Sequence, residues 1–261
     1  MTILDAILLG IIQGLTEFLP ISSSGHLVLA EHWLGVQPGD LSFEVAVHVG
    51  TLIAVGVFFR KQLWSLIKSA IGQTEDVERL RLDRRLIMLL IIGTLPAVVI
   101  GLAFKSPIER IFSHPLAAAV ALMVTGVWLL LMRAFTRRDR PLAPSNSFLI
   151  GIAQSVAILP GISRSGSTIA TGVMLGVSPS VAAEFSFLLS VPAVLGASVL
   201  ALPEAFTFGR FGLGHVVGAL CAAVVGYLAI RWVFAALRRG SFHWFGIYCL
   251  VLGAVATVLL W

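Results

Sequence analysis

Charged residues are scarce in this chain. Asp, Glu, Lys and Arg make up 12% of its 261 residues against 58% hydrophobic, and the mean hydropathy is +0.98. A soluble domain carries about twice that charged fraction, so the composition excludes an ordinary water-soluble fold and points to an integral membrane protein. Cysteine is nearly absent. Cys221 and Cys249 both lie inside apolar runs, which gives no sign of a disulfide framework or a Cys-rich metal site. A separate signal peptide is not expected either, because no basic n-region precedes the first apolar segment, residues 3–19, and that segment holds Glu17. The formal charge is +5, but most basic residues fall in two blocks, 60–85 and 133–140, as topology signals do. The expected partner is therefore the lipid bilayer and not nucleic acid.

What is present is a series of apolar segments, two of them broken. Residues 3–19 contain Asp5, Gln13 and Glu17 and stop at Pro20, and residues 26–34 are too short to span. Together they read as a re-entrant pair of half-helices, since irregular backbone survives at membrane depth only where protein buries it or it lines a cavity. Residues 41–59 form a span with a polar face, carrying Glu44 and His48. Residues 60–85 read as a charged loop of mixed sign. Two cleaner spans, 86–104 and 115–132, follow, separated by a short turn, and the basic block 133–140 comes next.

The second half then repeats the first. Gly151, Ile152 and Gln154 reproduce Gly10, Ile11 and Gln13 at an offset of 141 (151 − 10), and Ile162, Ser163, Ser165 and Gly166 reproduce Ile21, Ser22, Ser24 and Gly25 at the same offset. Glu184 and Gly196 stand 140 after Glu44 and Gly56 (184 − 44). Three more spans follow, at 181–202, 213–233 and 242–261. The expected fold is thus an all-α integral membrane protein. It is an inverted repeat of two halves, 1–140 and 141–261, each a re-entrant half-helix pair plus three transmembrane helices. An odd number of crossings per half inverts the second relative to the first and brings both breaks to the midplane. The positive-inside rule puts the basic blocks and Arg238–Arg239 in the cytoplasm, so both termini are external and the first pair enters from outside. Trp33, Trp64, Trp232, Trp244 and Trp261 fall near segment ends, where interfacial rings are expected.

The breaks carry the chemistry. In the first, Gln13 and Glu17 share a helical face, Ser22, Ser23, Ser24 and Gly25 make a polar turn, and His26 opens the next apolar run. Serines that merely cap a helix break would not explain Glu17 or His26, and ionisable groups at membrane depth mark function. The second break reads Pro160-Gly-Ile-Ser-Arg-Ser-Gly-Ser-Thr168. Gly161 and Gly166 allow close backbone approach, and Ser163, Ser165, Ser167 and Thr168 offer hydroxyls. Arg164 offers a permanently charged fork, and a helix N-terminus faces the same place. That set describes a phosphate site. Glu17 and Gln13 supply hard oxygens suited to a divalent cation, Mg2+ or Ca2+, completed by substrate phosphate oxygens. A carboxylate, a hydroxyl, an imidazole, an arginine and a metal are the parts of phosphoryl transfer to water.

Gln13-x-x-x-Glu17, Pro20-Ile-Ser-Ser-Ser-Gly-His26 and the 160–168 motif resemble the signatures of the undecaprenyl-diphosphate phosphatase family, also called bacitracin-resistance proteins. The resemblance extends over essentially the whole chain. It implies a multi-pass cell-membrane enzyme that hydrolyses undecaprenyl diphosphate to undecaprenyl phosphate and inorganic phosphate, recycling the cell-wall carrier lipid. It also implies catalytic roles for Glu17, Ser23, His26 and Arg164, with Ser22, Ser24, Gly25, Gly161, Ser163, Ser165, Gly166 and Thr168 around the phosphates. The family allows glutamate or glutamine where this chain has Gln13, which weakens any mechanism needing two carboxylates on the metal. The division of labour between Ser23 and His26 is left open, as is the oligomeric state, a homodimer being one option.

Two other readings compete. Ser24-Gly25-His26 and Ser163-Arg164 superficially match the type-2 phosphatidic acid phosphatase signature, but Ala170 stands where that class has histidine. A flippase or secondary transporter could use the same architecture. The asymmetry of the halves argues against it, because Ile158 stands where the repeat would place a second Glu17. Glu44, His48 and Glu184 either face the cavity and tune Glu17 or bond between helices, the second being preferred.

Overall fold

The computed structural model describes residues 1–34, 41–104, 115–135, 139–208 and 211–260. Of the features named above, the turn at 105–114, part of the second basic block (136–138) and Trp261 lie outside the described residues. Eleven helices occupy the rest. They are α1 (Ile3–Phe18), α2 (Ser23–Leu34), α3 (Leu41–Phe58), α4 (Arg60–Ala70), α5 (Val77–Ala103), α6 (Pro115–Met132), α7 (Pro144–Val156), α8 (Arg164–Met174), α9 (Pro179–Phe208), α10 (Leu213–Arg238) and α11 (His243–Leu260). Six of these, α3, α5, α6, α9, α10 and α11, are long and apolar enough to cross a membrane. The chain is an all-α, multi-pass membrane protein.

Helix ends follow local chemistry. Thr2 and Asp5 form a capping box at the start of α1, each accepting a backbone N–H from the other. Pro20 and Ser22, whose φ of 68° is left-handed, turn the chain out of α1. The next helix starts at Ser23, earlier than the apolar run alone suggested. Ser163 caps α8 by accepting the N–H of Gly166 at 3.0 Å.

The region expected as a charged loop, 60–85, is largely helical. Asp76 caps α5 by accepting from the N–H groups of Glu78 and Arg79, so that helix begins well before its apolar stretch. Asp83 accepts from the hydroxyls of Ser65 and Ser69 at 2.6 and 2.7 Å, and Arg79 donates to Ser65. The opposite charges are therefore used to clamp α4 against α5, which a count of charged residues does not reveal. A polar cleft of about 540 Å³ lies there, lined by Lys61, Asp76 and Arg79 among others.

Within the bundle the long helices meet through small residues, as helices do where no hydrophobic force distinguishes lipid from side chain. Helix α1 packs on α10, α7 on α5, and α6 on α11. A Cβ placed on Gly14 would stand 2.6 Å from the carbonyl oxygen of Ala222, and one on Gly126 2.7 Å from that of Gly246. Phe18, Phe187, Ile230 and Val233 fill the centre, with Phe18 edge-on to Phe187 at 5.6 Å.

This packing yields a paired test within α3. A Cβ at Gly50 would collide with the carbonyl oxygen of Ala219, whereas one at Gly56 would meet nothing. Gly50→Ala should destabilise the protein by roughly 1–3 kcal/mol through overpacking. Gly56→Ala should be neutral or slightly stabilising. Thermal unfolding of the two variants in the same detergent compares them directly, and equal midpoints would refute the close α3–α10 contact.

Candidate active site

The two interrupted helices bring their breaks into contact. A Cβ on Gly25 would lie 3.0 Å from the Cα of Gly161, and one on Gly166 3.3 Å from the Cβ of Pro20. The hydroxyl of Ser165 donates across the gap to the carbonyl of Leu19 at 3.1 Å. Gly161 has φ +92° and sits against the backbone of Ala118, so no side chain fits there. Thr125 on α6 ties the second break down, donating to the Gly161 carbonyl at 2.9 Å and accepting the Ser163 N–H at 3.0 Å.

Glu17 lies where the breaks meet, 8% exposed. Its Oε1 pairs with Nη2 of Arg164 at 2.9 Å. Its Oε2 accepts from the hydroxyl of Ser23 at 2.6 Å and from Nε2 of Gln13 at 3.1 Å. One carboxylate thus joins a hydroxyl from α2 and a guanidinium from α8, groups 141 residues apart in sequence (164 − 23). Arg164 is held from its other side by the carbonyl of Ser186, 3.1 Å from Nη1. Ser186 also shares a 2.6 Å hydrogen bond with Thr168, whose hydroxyl lies 2.7 Å from the Arg164 carbonyl.

His26 faces a different neighbour. Its Nδ1 is 2.7 Å from the Ser22 carbonyl and its Nε2 is 2.8 Å from the hydroxyl of Tyr248 on α11. A carbonyl only accepts, so the proton is on Nδ1, and in the neutral imidazole Nε2 accepts from Tyr248.

Several of the hydroxyls expected around a phosphate are engaged with the protein itself. Ser22 and Ser163, equivalent in the repeat, accept the N–H of Gly25 and Gly166 respectively. Each lies 3.3 Å from a second serine hydroxyl, Ser24 or Ser165. The starts of α2 and α8 are therefore built alike, and their caps consume these side chains. Among the other polar residues considered, Glu184 accepts from Gln62 on α4 at 2.6 Å, an interhelical bond as preferred. His48 bonds the carbonyl of Glu44 within its own helix. Thr125, Ser186 and Tyr248 were not anticipated. Thr125 is isolated in its apolar span, but Ser186 has Glu184 and Ser190 for company and Tyr248 has His243 and Thr257, so the sequence offered a signal for Thr125 alone.

The donor set suits a divalent cation in one respect. The Oε1 of Gln13 is fully buried without a hydrogen-bond partner, on the same face as Glu17. Among the described residues, no group of three or more His, Cys, Asp or Glu could hold a metal alone, so a cation here would need substrate oxygens to complete its shell. The repeat's counterpart, Gln154, is buried with neither amide atom bonded, but it has Ile158 where Gln13 has Glu17.

The sequence profile of the bacitracin resistance protein BacA family matches residues 6–255. The chain belongs to that family. Among curated relatives, a protein of Moorella thermoacetica called undecaprenyl-diphosphatase is 40% identical over 264 residues, covering 100% of this chain and 99% of its own. Proteins of the same name from Desulforapulum autotrophicum and Methanobrevibacter smithii are 39% and 40% identical. Those two alignments cover 99% and 98% of this chain, and 98% and 96% of theirs.

The ion pair makes a stability prediction independent of activity. Arg164→Met alone leaves a buried carboxylate unpaired and should cost on the order of 3–5 kcal/mol. Adding Glu17→Gln should recover most of that loss. Denaturation of the single and double variants measures the coupling, and strictly additive effects would show that the two groups do not interact.

Proposed function

We propose that this chain is an undecaprenyl-diphosphate phosphatase, a membrane hydrolase releasing inorganic phosphate and leaving undecaprenyl phosphate. One observation carries the reading within this family: a single carboxylate, Glu17, holds the Ser23 hydroxyl on one oxygen and Arg164 on the other. That is the arrangement of a nucleophile, its base and an orienting charge. Arg164 has five N–H donors and uses two in the bonds described, so it keeps donors for phosphate oxygens. The N-termini of α2 and α8 add their unpaired N–H groups.

In this mechanism Ser23 Oγ attacks the terminal phosphorus, its proton passing to Glu17 along the existing hydrogen bond, and the lipid phosphate leaves. Water then cleaves the phosphoserine, His26 receiving the proton of that water while Glu17 returns its own to the departing Ser23 Oγ. Arg164 stabilises the charge on the transferred group in both steps. Gly25, Gly161 and Gly166 let the diphosphate approach the backbone. Ser22, Ser24, Ser163, Ser165 and Thr168 shape the cradle, the caps holding both N-termini open toward it. Gln13 and Glu17 would hold Mg2+ or Ca2+, which when bound neutralises diphosphate charge.

The finer architecture belongs to the same reading. The chain is an inverted repeat of residues 1–140 and 141–261, with α1–α2 and α7–α8 as re-entrant pairs. The exchange of partners supports this, α1 lying on α10 and its counterpart α7 on α5, the counterpart of α10. The basic ends of α4, α5 and α10 are cytoplasmic, so the catalytic break opens externally, toward the periplasm in a Gram-negative cell.

Purified protein should release phosphate from a polyprenyl diphosphate, and excess EDTA or Glu17→Gln should abolish release. Arg164→Lys, which keeps charge but loses the fork gripping both Glu17 and Ser186, should be slower by about a hundredfold or more. Full turnover in EDTA would remove the cation from the mechanism, and near-native Arg164→Lys would reduce Arg164 to an electrostatic anchor.

A further inference from the structure

The geometry points to Tyr248 as the group that hands His26 its proton, the phenol giving one to Nε2 as it takes one from the attacking water. The assignment rests on the hydrolytic role proposed above for His26. Of the two ring nitrogens, Nδ1 is committed to the Ser22 carbonyl, so any proton His26 takes up must arrive at Nε2. That atom is where the Tyr248 hydroxyl sits, 2.8 Å away. The two rings lie nearly parallel, 9° between their planes and 5.7 Å between centroids. Ser23 and Glu17, the other reactive groups, bond each other.

The position of Tyr248 in the fold explains why a tyrosine suits the task. It lies on the outer face of α11, 43% exposed, in line with Trp244 and Val251, which are 63% and 58% exposed. Those neighbours are apolar and turned away from the bundle, and α11 is anchored behind them on α6. A tyrosine there presents an apolar ring outward while its hydroxyl reaches inward to a polar partner. The phenol is stiff, with few rotatable bonds, and it grips the imidazole at a second point. Nε2 has a single lone pair and the Tyr248 O–H points into it, so water, phenol and imidazole must stand in one line. Proton transfer depends on that line being kept.

The test compares phosphate release by native protein, Tyr248→Phe, His26→Ala and the double variant in detergent micelles, with kcat and KM resolved. Phenylalanine keeps the ring and its packing but removes the hydroxyl. Tyr248→Phe should lower kcat by about tenfold, a part of what a general base contributes, with KM within twofold and the unfolding midpoint unchanged. In the His26→Ala background the same change should have no further effect. A native kcat in Tyr248→Phe would overturn the assignment, as would an equal loss with and without His26, which would mean that Tyr248 acts elsewhere. If His26→Ala turns over at the native rate, the role proposed for His26 fails and Tyr248 falls with it. If His26→Ala is impaired and Tyr248→Phe is not, only the inference about Tyr248 fails.

Discussion

The ion pair between Glu17 and Arg164 constrains everything around it. Neither charge is tolerable alone when buried, where an unpaired ion costs several kcal/mol. The pair exists only if the break after α1 meets the break before α8. Contact at that distance in turn requires residues without bulk, which is why Gly25 faces Gly161 and Pro20 faces Gly166. The Thr125 and Ser186 bonds keep the second break and its arginine from relaxing away. Chain halves that are distant in sequence are thereby fastened at the point where the chemistry is concentrated.

The same pair shapes the chemistry. One oxygen of the carboxylate meets Arg164, which leaves the other to accept the Ser23 hydroxyl at 2.6 Å. Hydroxyl, carboxylate and guanidinium form a line resembling the nucleophile, base and orienter of many acyl- and phosphoryl-transfer sites. His26 stands outside that line, tethered between Ser22 and Tyr248. Two proton acceptors with separate neighbours suit a reaction in two stages, one for the serine and one for water. The second half supplies Arg164 but, with Ile158, no second carboxylate. The two breaks therefore bring different groups, one a carboxylate and the other a guanidinium.

Much of this was legible in the residues. Apolar run length identified all six long helices, and the offset of 141 between the Ser22 and Ser163 motifs identified the pair of breaks that the structure brings together. Glu17, Ser23 and Arg164 were singled out because charge in an apolar setting needs a reason, and they prove to be bonded to one another. The charged hairpin was misread because mixed charge resembles a loop, whereas Asp76 and Asp83 use it for capping and clamping. Serine identity could not separate capping from ligand binding, since both ask for the same oxygen. Ser22 and Ser163 show the capping use. Tyr248 was invisible because a bond across 222 residues leaves no local pattern.

The most direct test of the shared site is to locate a bound diphosphate. A polyprenyl methylenediphosphonate, which cannot be hydrolysed, can be added to protein labelled with nitrogen-15 in arginine and lysine. Phosphorus–nitrogen dipolar couplings are then measured by solid-state NMR in bilayers, with Arg164→Met protein as the reference. A strong coupling to an arginine side chain that disappears in the Arg164→Met reference is the expected result. Couplings that persist unchanged in that reference, or that arise only from Lys61 and Arg79 in the cleft between α4 and α5, would contradict it.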